Sequence, residues 1–286
     1  MHAESIHTRT LNGIDLAWLE RGEGPLVVCL HGFPDTAWTF VPVLDRLAAA
    51  GYRAVAPFLR GYAPSGLAPD SDYRLPALAG DLLTLIDALD VERAHVVGHD
   101  WGDVIAQFAA SLAPRRFGRL VLCAVPHLKR FVLRPSLRQL QRSHYIYKFQ
   151  IPGWAERRLP HDDFRWVTDL INQWSPDWHP SPAALAPLKA ALGTPGGLQA
   201  ALAYYRALPG AVLTPAIRRV TFAPVPVPTR MIFGGRDGCI GPEMFSGQDA
   251  LFPLGLDLCE MPGHGHFMQA EDPDAFTAHV IDWLRA

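Results

Sequence analysis

The chain has 286 residues, of which 49% are hydrophobic and 19% charged, and its net charge is -2. This composition is typical of a globular protein with a sizeable core, and it excludes the strongly basic balance of nucleic-acid-binding proteins. No apolar run reaches the roughly 18 residues of a membrane-spanning helix, and residues 1–5 lack the pattern of a signal peptide. We therefore expect a cytoplasmic protein with neither a nucleic-acid nor a membrane partner.

The first part of the chain alternates strand-like runs with helical patterns. Asn12-Gly13 suits the tight turn of a hairpin. The predicted strands are residues 6–11, 14–19, 26–30, 53–56, 94–97 and 120–125. The predicted helices between them are residues 40–50, 76–89 and 103–112. Because strands that alternate with helices pair in parallel, the pattern predicts an α/β fold whose central sheet is mostly parallel and begins with a hairpin.

The alternation stops after Pro126 and returns about 100 residues later. Helical patterns alone occupy the gap, at residues 135–150, 161–173, 182–192 and 195–208. Two further strands and a closing helix follow, at residues 229–233, 256–261 and 273–284. We therefore predict a core domain of residues 1–127 and 221–286, interrupted by an inserted helical cap of residues 128–220.

The segment Gly98-His99-Asp100-Trp101-Gly102 lies between a predicted strand and a predicted helix. It has the form of a nucleophile elbow, a tight turn in which two glycines let strand and helix approach each other. The central residue has a strained backbone and stands at the carboxyl end of the sheet. No serine occupies such a motif in the chain. The nucleophile is therefore predicted to be the carboxylate of Asp100; the alternative is an ordinary turn in which Asp100 caps a helix.

Three other segments supply the partners that such a nucleophile needs. His31-Gly32-Phe33-Pro34 follows the first buried strand, so the N–H groups of Phe33 and Trp101 are candidates for an oxyanion hole. Asp237 follows a later strand as the candidate acid. His264 and His266 follow the last strand, and one of them is the candidate base. The order of nucleophile, acid and base along the chain is the order of this fold.

Together these motifs resemble the epoxide hydrolase and haloalkane dehalogenase branch of the α/β-hydrolases. The resemblance also rests on Arg60-Gly61-Tyr62 and on Gly265-His266-Phe267-Met268-Gln269. It implies that His266, which precedes the Phe-x-Gln segment, is the base rather than His264. It further implies a small, mainly apolar epoxide substrate, no cofactor and no metal. A homodimer remains open.

The predicted cap resembles that of epoxide hydrolases, which carries two catalytic tyrosines. The segment from Ser143 to Gly153 matches the family at Tyr145, four residues before Phe149-Gln150. The segment Ala203-Tyr204-Tyr205-Arg206 matches at Tyr205. Tyr147 and Tyr204 are the alternatives at these two positions, and each tyrosine could instead only pack between cap and core.

The resemblance implies hydrolysis of an epoxide to a vicinal diol through an ester of Asp100, and two alternatives stay open. A haloalkane dehalogenase uses the same nucleophile, although Phe33 stands where that family commonly has Asn. A ligand-binding protein without turnover is the other. The chain departs from the epoxide hydrolases at Phe58, often Asp there, and at Asp103, usually Gly. Asp103 could raise the pKa of the nearby nucleophile through like charge.

Overall fold

The computed structural model describes residues 6–286, in which a single sheet has eight strands. The strands are β1 (Ile6–Leu11), β2 (Ile14–Arg21), β3 (Leu26–Leu30), β4 (Arg53–Pro57), β5 (Ala94–His99), β6 (Phe117–Cys123), β7 (Thr229–Gly234) and β8 (Leu256–Met261). Their order across the sheet is β1-β2-β4-β3-β5-β6-β7-β8. The pairs β1–β2 and β2–β4 are antiparallel, and all other pairs are parallel. The predicted hairpin and mostly parallel sheet are confirmed.

The helices cover this sheet and fill the long connection between β6 and β7. They are α1 (Val41–Ala49), α2 (Leu75–Ala88), α3 (Trp101–Leu112), α4 (Leu128–Leu133), α5 (Leu137–Arg142), α6 (His144–Phe149), α7 (Trp154–Arg158), α8 (His161–Trp174), α9 (Pro182–Gly193), α10 (Gly197–Leu213), α11 (Pro215–Thr221), α12 (Met268–Glu271) and α13 (Pro273–Arg285). Helices α4 to α11 form an uninterrupted helical insertion between β6 and β7. No helix within residues 6–286 is both long and apolar enough to cross a bilayer.

Both faces of the sheet are buried, which explains the continuous apolar runs of its central strands. In β3, Val28 and Leu30 pack into one hydrophobic cluster with side chains of α2 and α3. Val27 and Cys29 point to the other face and pack with α1 and α13. Successive residues of a strand face opposite sides, so a strand covered on both sides has no polar position. Because β3, β5, β7 and β8 all run in the same direction in the sheet, their carboxyl ends lie along one edge of it.

The insertion differs from its predicted elements in two ways: the short helices α4, α7 and α11 lie outside the predicted helices, and one predicted helix is divided. Residues 135–150 are predicted as one helix, but two short helices, α5 and α6, meet there at Ser143. The hydroxyl of Ser136 accepts a hydrogen bond from the N–H of Gln139, so α5 begins only after Pro135. Serine competes for backbone hydrogen bonds and therefore favours the ends of helices. The apolar spacing of the segment gives no sign of these helix ends.

A buried ion pair fixes the turn that follows β4. Arg60 Nε and Nη2 donate to the two carboxylate oxygens of Asp81 at 2.7 and 2.6 Å, and both side chains are almost fully buried. The Asp81 carboxylate on α2 accepts another bond from Asn12. The carbonyl of Arg60 accepts the hydroxyl of Tyr204 at 2.7 Å, which ties this turn to α10.

We expect Asp81→Ala to lower the free energy of unfolding by about 3–5 kcal/mol, because it leaves the Arg60 charge buried without a partner. Asp87→Ala is the matched control, since Asp87 lies on the same helix and its pair with Arg116 is exposed. The control loses less than about 1 kcal/mol. Urea denaturation of both variants measures the difference, and equal losses would contradict this account.

Candidate active site

Asp100 occupies a sharp turn between β5 and α3. Its φ of 52° lies in the left-handed region, where non-glycine residues are strained, and its side chain is largely buried. A Cβ on Gly102 would overlap the carbonyl of Leu30 in β3, so only glycine lets α3 start this close to the sheet. The predicted elbow geometry is therefore present around Asp100.

The loop after β3 reaches the same carboxylate. The N–H of Phe33 donates to Asp100 Oδ1 at 2.7 Å. A Cβ on Gly32 would overlap both this carboxylate and the backbone nitrogen of Trp101. The backbone of this loop thus passes directly beside Asp100, with the N–H of Phe33 bonded to the carboxylate and the backbone nitrogen of Trp101 close to the same loop.

His266 bridges the two aspartates of the predicted triad. Its Nδ1 is 2.8 Å from Asp237 Oδ2, and its Nε2 is 3.7 Å from Asp100 Oδ2. The other oxygen of Asp237 accepts the N–H groups of Cys239 and Ile240 at 2.6 and 2.8 Å. Asp237 is thereby fixed as an acceptor, and His266 Nε2, buried and without a hydrogen-bond partner, faces the elbow.

The structure separates the two candidate histidines. His264 is partly exposed, and its Nε2 lies 3.7 Å from Asp272 on the outer side of the loop. Only His266 contacts both aspartates. Among the described residues, Asp237, Cys239 and His266 also form a group whose ligand atoms lie within 4.8 Å of one another. The hydrogen bond between His266 and Asp237 already occupies two of these atoms, which fits a proton-transfer pair better than a metal site.

The insertion brings two tyrosines opposite Asp100. Tyr145 on α6 and Tyr205 on α10 are both buried, with ring centroids 5.7 Å apart. The hydroxyl of Tyr205 has no hydrogen-bond partner, and that of Tyr145 is 3.5 Å from Cys239 Sγ. Tyr204 instead bonds the carbonyl of Arg60, and Tyr147 is exposed. Of the four tyrosines considered, the predicted pair is buried beside Asp100, with the Tyr205 hydroxyl unpartnered and the Tyr145 hydroxyl in contact only with a thiol.

A cavity of about 230 Å³ lies between the insertion and the elbow. Asp100, Trp101, Tyr145 and Tyr205 provide its polar inner end. The rest of its wall is mostly apolar and includes Val125, Leu128, Phe131, Leu208 and Ile240. A small apolar molecule with one polar reacting group fits such a lining.

Burial and charge set the protonation states around this cavity. Burial acts to lower the pKa of His266, but the carboxylates of Asp237 and Asp100 outweigh it and raise that pKa to about 10. Burial also raises the pKa of Tyr145 and of Tyr205 well above the usual value of a phenol, with further contributions from neighbouring groups that include Asp100. Both phenols are therefore protonated at neutral pH and can donate hydrogen bonds.

Two groups beside the site have no signal in the sequence. The hydroxyl of Ser175 accepts the N–H groups of His266 and Phe267 at 2.9 and 3.1 Å, so the end of α8 holds the histidine loop. The thiol of Cys239 reaches Tyr145 from the loop that carries Asp237. Each contact joins the insertion to a core loop across more than 60 residues, and only the docking of α6 and α8 creates it.

Asp103, one turn after Asp100, is fully buried. One oxygen accepts Gln107 Nε2 at 2.6 Å, and the other has no partner. Burial raises the pKa of Asp103 well above its usual value, and the charge of Asp100 adds to this shift. The uncharged acid is thus the form that the folded protein favours. The family's glycine is replaced by a side chain that lies inside the core and outside the cavity lining.

Asp103→Asn should stabilise the protein increasingly as the pH rises. The folded pKa lies above the unfolded one, so the stabilising contribution of the acid is complete below about pH 3.9 and is lost as the pH rises through the folded pKa. The loss approaches about 1.4 kcal/mol per pH unit between the two pKa values, and Asn does not titrate. Urea denaturation of both proteins from about pH 5 to pH 9 measures the gain; a difference that stays constant with pH would contradict it.

The fold and the site together define a class of protein. A mostly parallel sheet carries an elbow after β5, an acid after β7 and a histidine after β8, all at the carboxyl ends of its strands. This arrangement is that of the α/β hydrolases.

Comparison with known proteins places the chain in the same class. Residues 25–273 match a protein family whose description is alpha/beta hydrolase fold. The chain is 31% identical to an AB hydrolase superfamily protein of Bacillus subtilis, over 96% of both chains. It is 29% identical to epoxide hydrolase 3 of Siraitia grosvenorii, over 97% of both chains. The chain therefore belongs to the α/β-hydrolase family, as its motifs predict.

Solved structures agree with these relatives. An epoxide hydrolase from Vigna radiata superposes with a TM-score of 0.83 and 28% identity, covering 99% of this chain and 98% of the other. Epoxide hydrolase A from Mycobacterium thermoresistibile superposes with a TM-score of 0.86 and 27% identity, covering 99% of each chain. The match extends over the helical insertion as well as the sheet, because nearly the whole of each chain is covered.

Proposed function

We propose that this protein is an epoxide hydrolase that converts small, mainly apolar epoxides to vicinal diols. One observation carries the proposal: the free hydroxyl of Tyr205 and that of Tyr145 face the same cavity as the Asp100 carboxylate. An epoxide needs a nucleophile on carbon and a donor on oxygen. The names of the relatives in Siraitia grosvenorii and Vigna radiata support the same activity.

In the first step, the Asp100 carboxylate attacks an epoxide carbon and the C–O bond of the ring opens. The oxygen that leaves becomes an alkoxide, which is a poor leaving group unless it receives a proton or strong hydrogen bonds. Tyr145 and Tyr205 are protonated at neutral pH because burial raises their pKa values. One phenol transfers its proton to this oxygen and becomes a phenolate while the other donates a hydrogen bond, and a hydroxyalkyl ester of Asp100 results.

In the second step, His266 activates water. The charge of Asp100 helps to raise the pKa of His266, and ester formation removes that charge. The pKa of His266 therefore falls once the ester has formed, so His266 gives its proton to the phenolate left by the first step. The neutral imidazole, oriented by Asp237, can then accept a proton from water. Water attacks the ester carbonyl, and the N–H groups of Phe33 and Trp101 stabilise the oxyanion. Collapse of this intermediate breaks its bond to the diol oxygen, which takes the proton of the new carboxyl group. This releases the diol and restores the Asp100 carboxylate beside protonated His266.

The helical insertion, residues 128–220, is in this proposal a cap domain over a core of residues 1–127 and 221–286. Residues 1–5 of that core lie outside the described residues. The cap supplies both tyrosines, and the core supplies the triad and the oxyanion hole. We further propose that the protein acts in the cytoplasm.

Turnover of small epoxides and of bromoalkanes by the purified protein tests the function. We expect diol from epoxides such as styrene oxide, and bromide release from activated bromoalkanes only at a much lower rate. Bromide release without diol formation would assign the alternative, a haloalkane dehalogenase with the same nucleophile. Tight binding of both substrate classes with no product would indicate a ligand-binding protein.

His266→Ala should trap the ester, because attack on the epoxide does not need the base whereas hydrolysis does. Intact-protein mass spectrometry after mixing with substrate should show an adduct of the mass of one epoxide. His264→Ala is the matched control, since His264 lies outside the triad; it should retain most activity and show no adduct. If bound substrate gives no adduct in His266→Ala, then His266 is needed before ester formation.

A further inference from the structure

The mouth of the cavity is surrounded by exposed apolar side chains. Val132, Leu140 and Tyr147 line the cavity and are also exposed to solvent. Leu133 adjoins Val132, Leu137 lies one turn before Leu140, and Leu213 adjoins the lining residue Val212. We call Val132, Leu133, Leu137, Leu140, Tyr147 and Leu213 the apolar rim. Leu137 is 81% exposed, which is unusual for a leucine whose only role is to pack in the hydrophobic core.

The chain segments that carry this rim contain basic residues and no acidic ones, although the carboxylate of Glu243, from the core, accepts the hydroxyl of Ser136 and pairs with Arg142. Residues 104–155 and 178–236 contain no Asp or Glu. These two segments include the residues of the insertion that line the cavity. Lys129, Arg134, Arg138 and Lys148 alternate with the apolar rim along the first segment, and we call these four the basic collar. None of the four forms an ion pair within residues 6–286, whereas the nearby Arg142 is paired with Glu243.

Contrary to the expectation from the sequence that there is no membrane partner, we propose that the apolar rim and the basic collar dock the cavity mouth on an anionic lipid surface. Apolar side chains enter the boundary between head groups and acyl chains, and lysine and arginine beside them bind the acidic head groups. Short amphipathic helices such as α4 and α5 can lie in that boundary without crossing the bilayer, so the docking needs no membrane-spanning helix.

Charge complementarity favours a lipid surface over a second copy of this chain. In a two-fold dimer through the apolar rim, the same patch meets itself. The basic collar of one copy would then face the basic collar of the other, with no carboxylate from the segments that carry it to compensate. An anionic surface instead satisfies the apolar and the cationic side chains together.

Docking in this orientation would open the cavity toward the bilayer, where apolar epoxides dissolve. This consequence rests on the proposed function, but the docking itself does not. Binding to vesicles is measured without turnover, and turnover of a small water-soluble epoxide is measured without vesicles. Failure of either proposal is therefore visible independently of the other.

Flotation with vesicles tests the docking in the full-length protein. One set contains phosphatidylcholine alone, and in the other about a third of the lipid is phosphatidylglycerol, which supplies the anionic surface. We expect the protein to float with the anionic vesicles at low salt and to remain unbound with phosphatidylcholine alone. Raising the salt concentration should weaken the binding, because salt screens the contribution of the basic collar.

Two double variants test the residues. Arg134→Glu/Arg138→Glu should lower the partition coefficient on anionic vesicles by at least about 25-fold, since each basic side chain near such a surface contributes about fivefold. Leu133→Ser/Leu137→Ser should lower it by at least about tenfold. None of these residues lines the cavity, so turnover of a small epoxide should stay within about twofold of the original protein.

Matched controls lie at the opposite edge of the sheet. Leu112→Ser/Leu254→Ser removes two exposed leucines, and Arg115→Glu/Arg285→Glu reverses two exposed charges. Both should float as the unchanged protein does. Absence of binding to anionic vesicles at low salt would overturn the proposal, as would equal losses in the variants and their controls. A dimer that dissociates in Leu133→Ser/Leu137→Ser, without vesicle binding, would assign the apolar rim to a second copy and overturn it as well.

Discussion

Asp100→Asn should lose at least about a thousandfold of the epoxide turnover, because removing a catalytic nucleophile costs several orders of magnitude in comparable triads. Asparagine is the sharpest replacement at this position. It tolerates the positive φ of 52° and can still accept the N–H of Phe33, but its amide is a far weaker nucleophile toward carbon. The elbow is therefore preserved while the proposed chemistry is removed.

Thermal unfolding followed by circular dichroism shows whether Asp100→Asn remains folded. A second measurement is independent of the rate of turnover. In ¹⁸O-labelled water, a single turnover of the unchanged protein should leave one ¹⁸O atom in a peptide that contains Asp100, because water attacks the ester carbonyl. A label found only in the diol would mean that water attacks the epoxide directly, and the ester mechanism would be wrong.

The sheet could be predicted from the sequence because burial on both faces leaves an unmistakable pattern. Strand β3 is a continuous apolar run, and the elbow glycines mark where the chain turns from β5 into α3. The insertion was less accessible. Most of its helices are short, and α5 and α6 are separated by Ser143, whose hydroxyl accepts a hydrogen bond from the Gln139 side chain and caps no backbone N–H of α6. Apolar spacing across residues 135–150 therefore predicts one helix where there are two.

Different parts of the site were predictable to different degrees. The order of Asp100, Asp237 and His266 follows the strands, so the topology of the sheet brings these residues together. The spacing alone does not distinguish His264 from His266; the structure does, since only His266 contacts both aspartates. The contacts of Ser175 and Cys239 depend on how the insertion docks on the core, which is a long-range property that no local pattern records.

In the proposed mechanism the two tyrosines distinguish the two reactions, because an opening epoxide requires a donor on oxygen and a haloalkane does not. An opening epoxide places negative charge on oxygen, whereas bromide leaves without a proton. Tyr→Phe keeps the ring, and thus the aromatic packing among Tyr145, Tyr205 and Phe149, while it removes only the hydroxyl. A loss of activity in these variants therefore reports the donor and not the packing.

We expect Tyr145→Phe/Tyr205→Phe to be nearly inactive on epoxides. Removal of one donor to a developing oxyanion typically costs about 10²–10³-fold in rate. Each single variant should lose less than this range, because the other phenol still donates. Tyr204→Phe is the matched control on the same helix: its hydroxyl bonds the carbonyl of Arg60, so its loss should lower stability by about 1 kcal/mol and leave most of the turnover.

Steady-state rates on an epoxide and on a bromoalkane, measured for the original protein and the four variants, complete the comparison. Full epoxide turnover in Tyr145→Phe/Tyr205→Phe would mean that both rings only pack between insertion and core. A loss of epoxide turnover in Tyr204→Phe as large as that in Tyr205→Phe would contradict the assignment of the donor to Tyr205 and of a structural hydrogen bond to Tyr204. The expected pattern has one further property: the variants that lack a phenol should still form the Asp100 ester with an activated bromoalkane. That reaction needs the nucleophile but no proton on its leaving group, and it separates a damaged nucleophile from a missing acid.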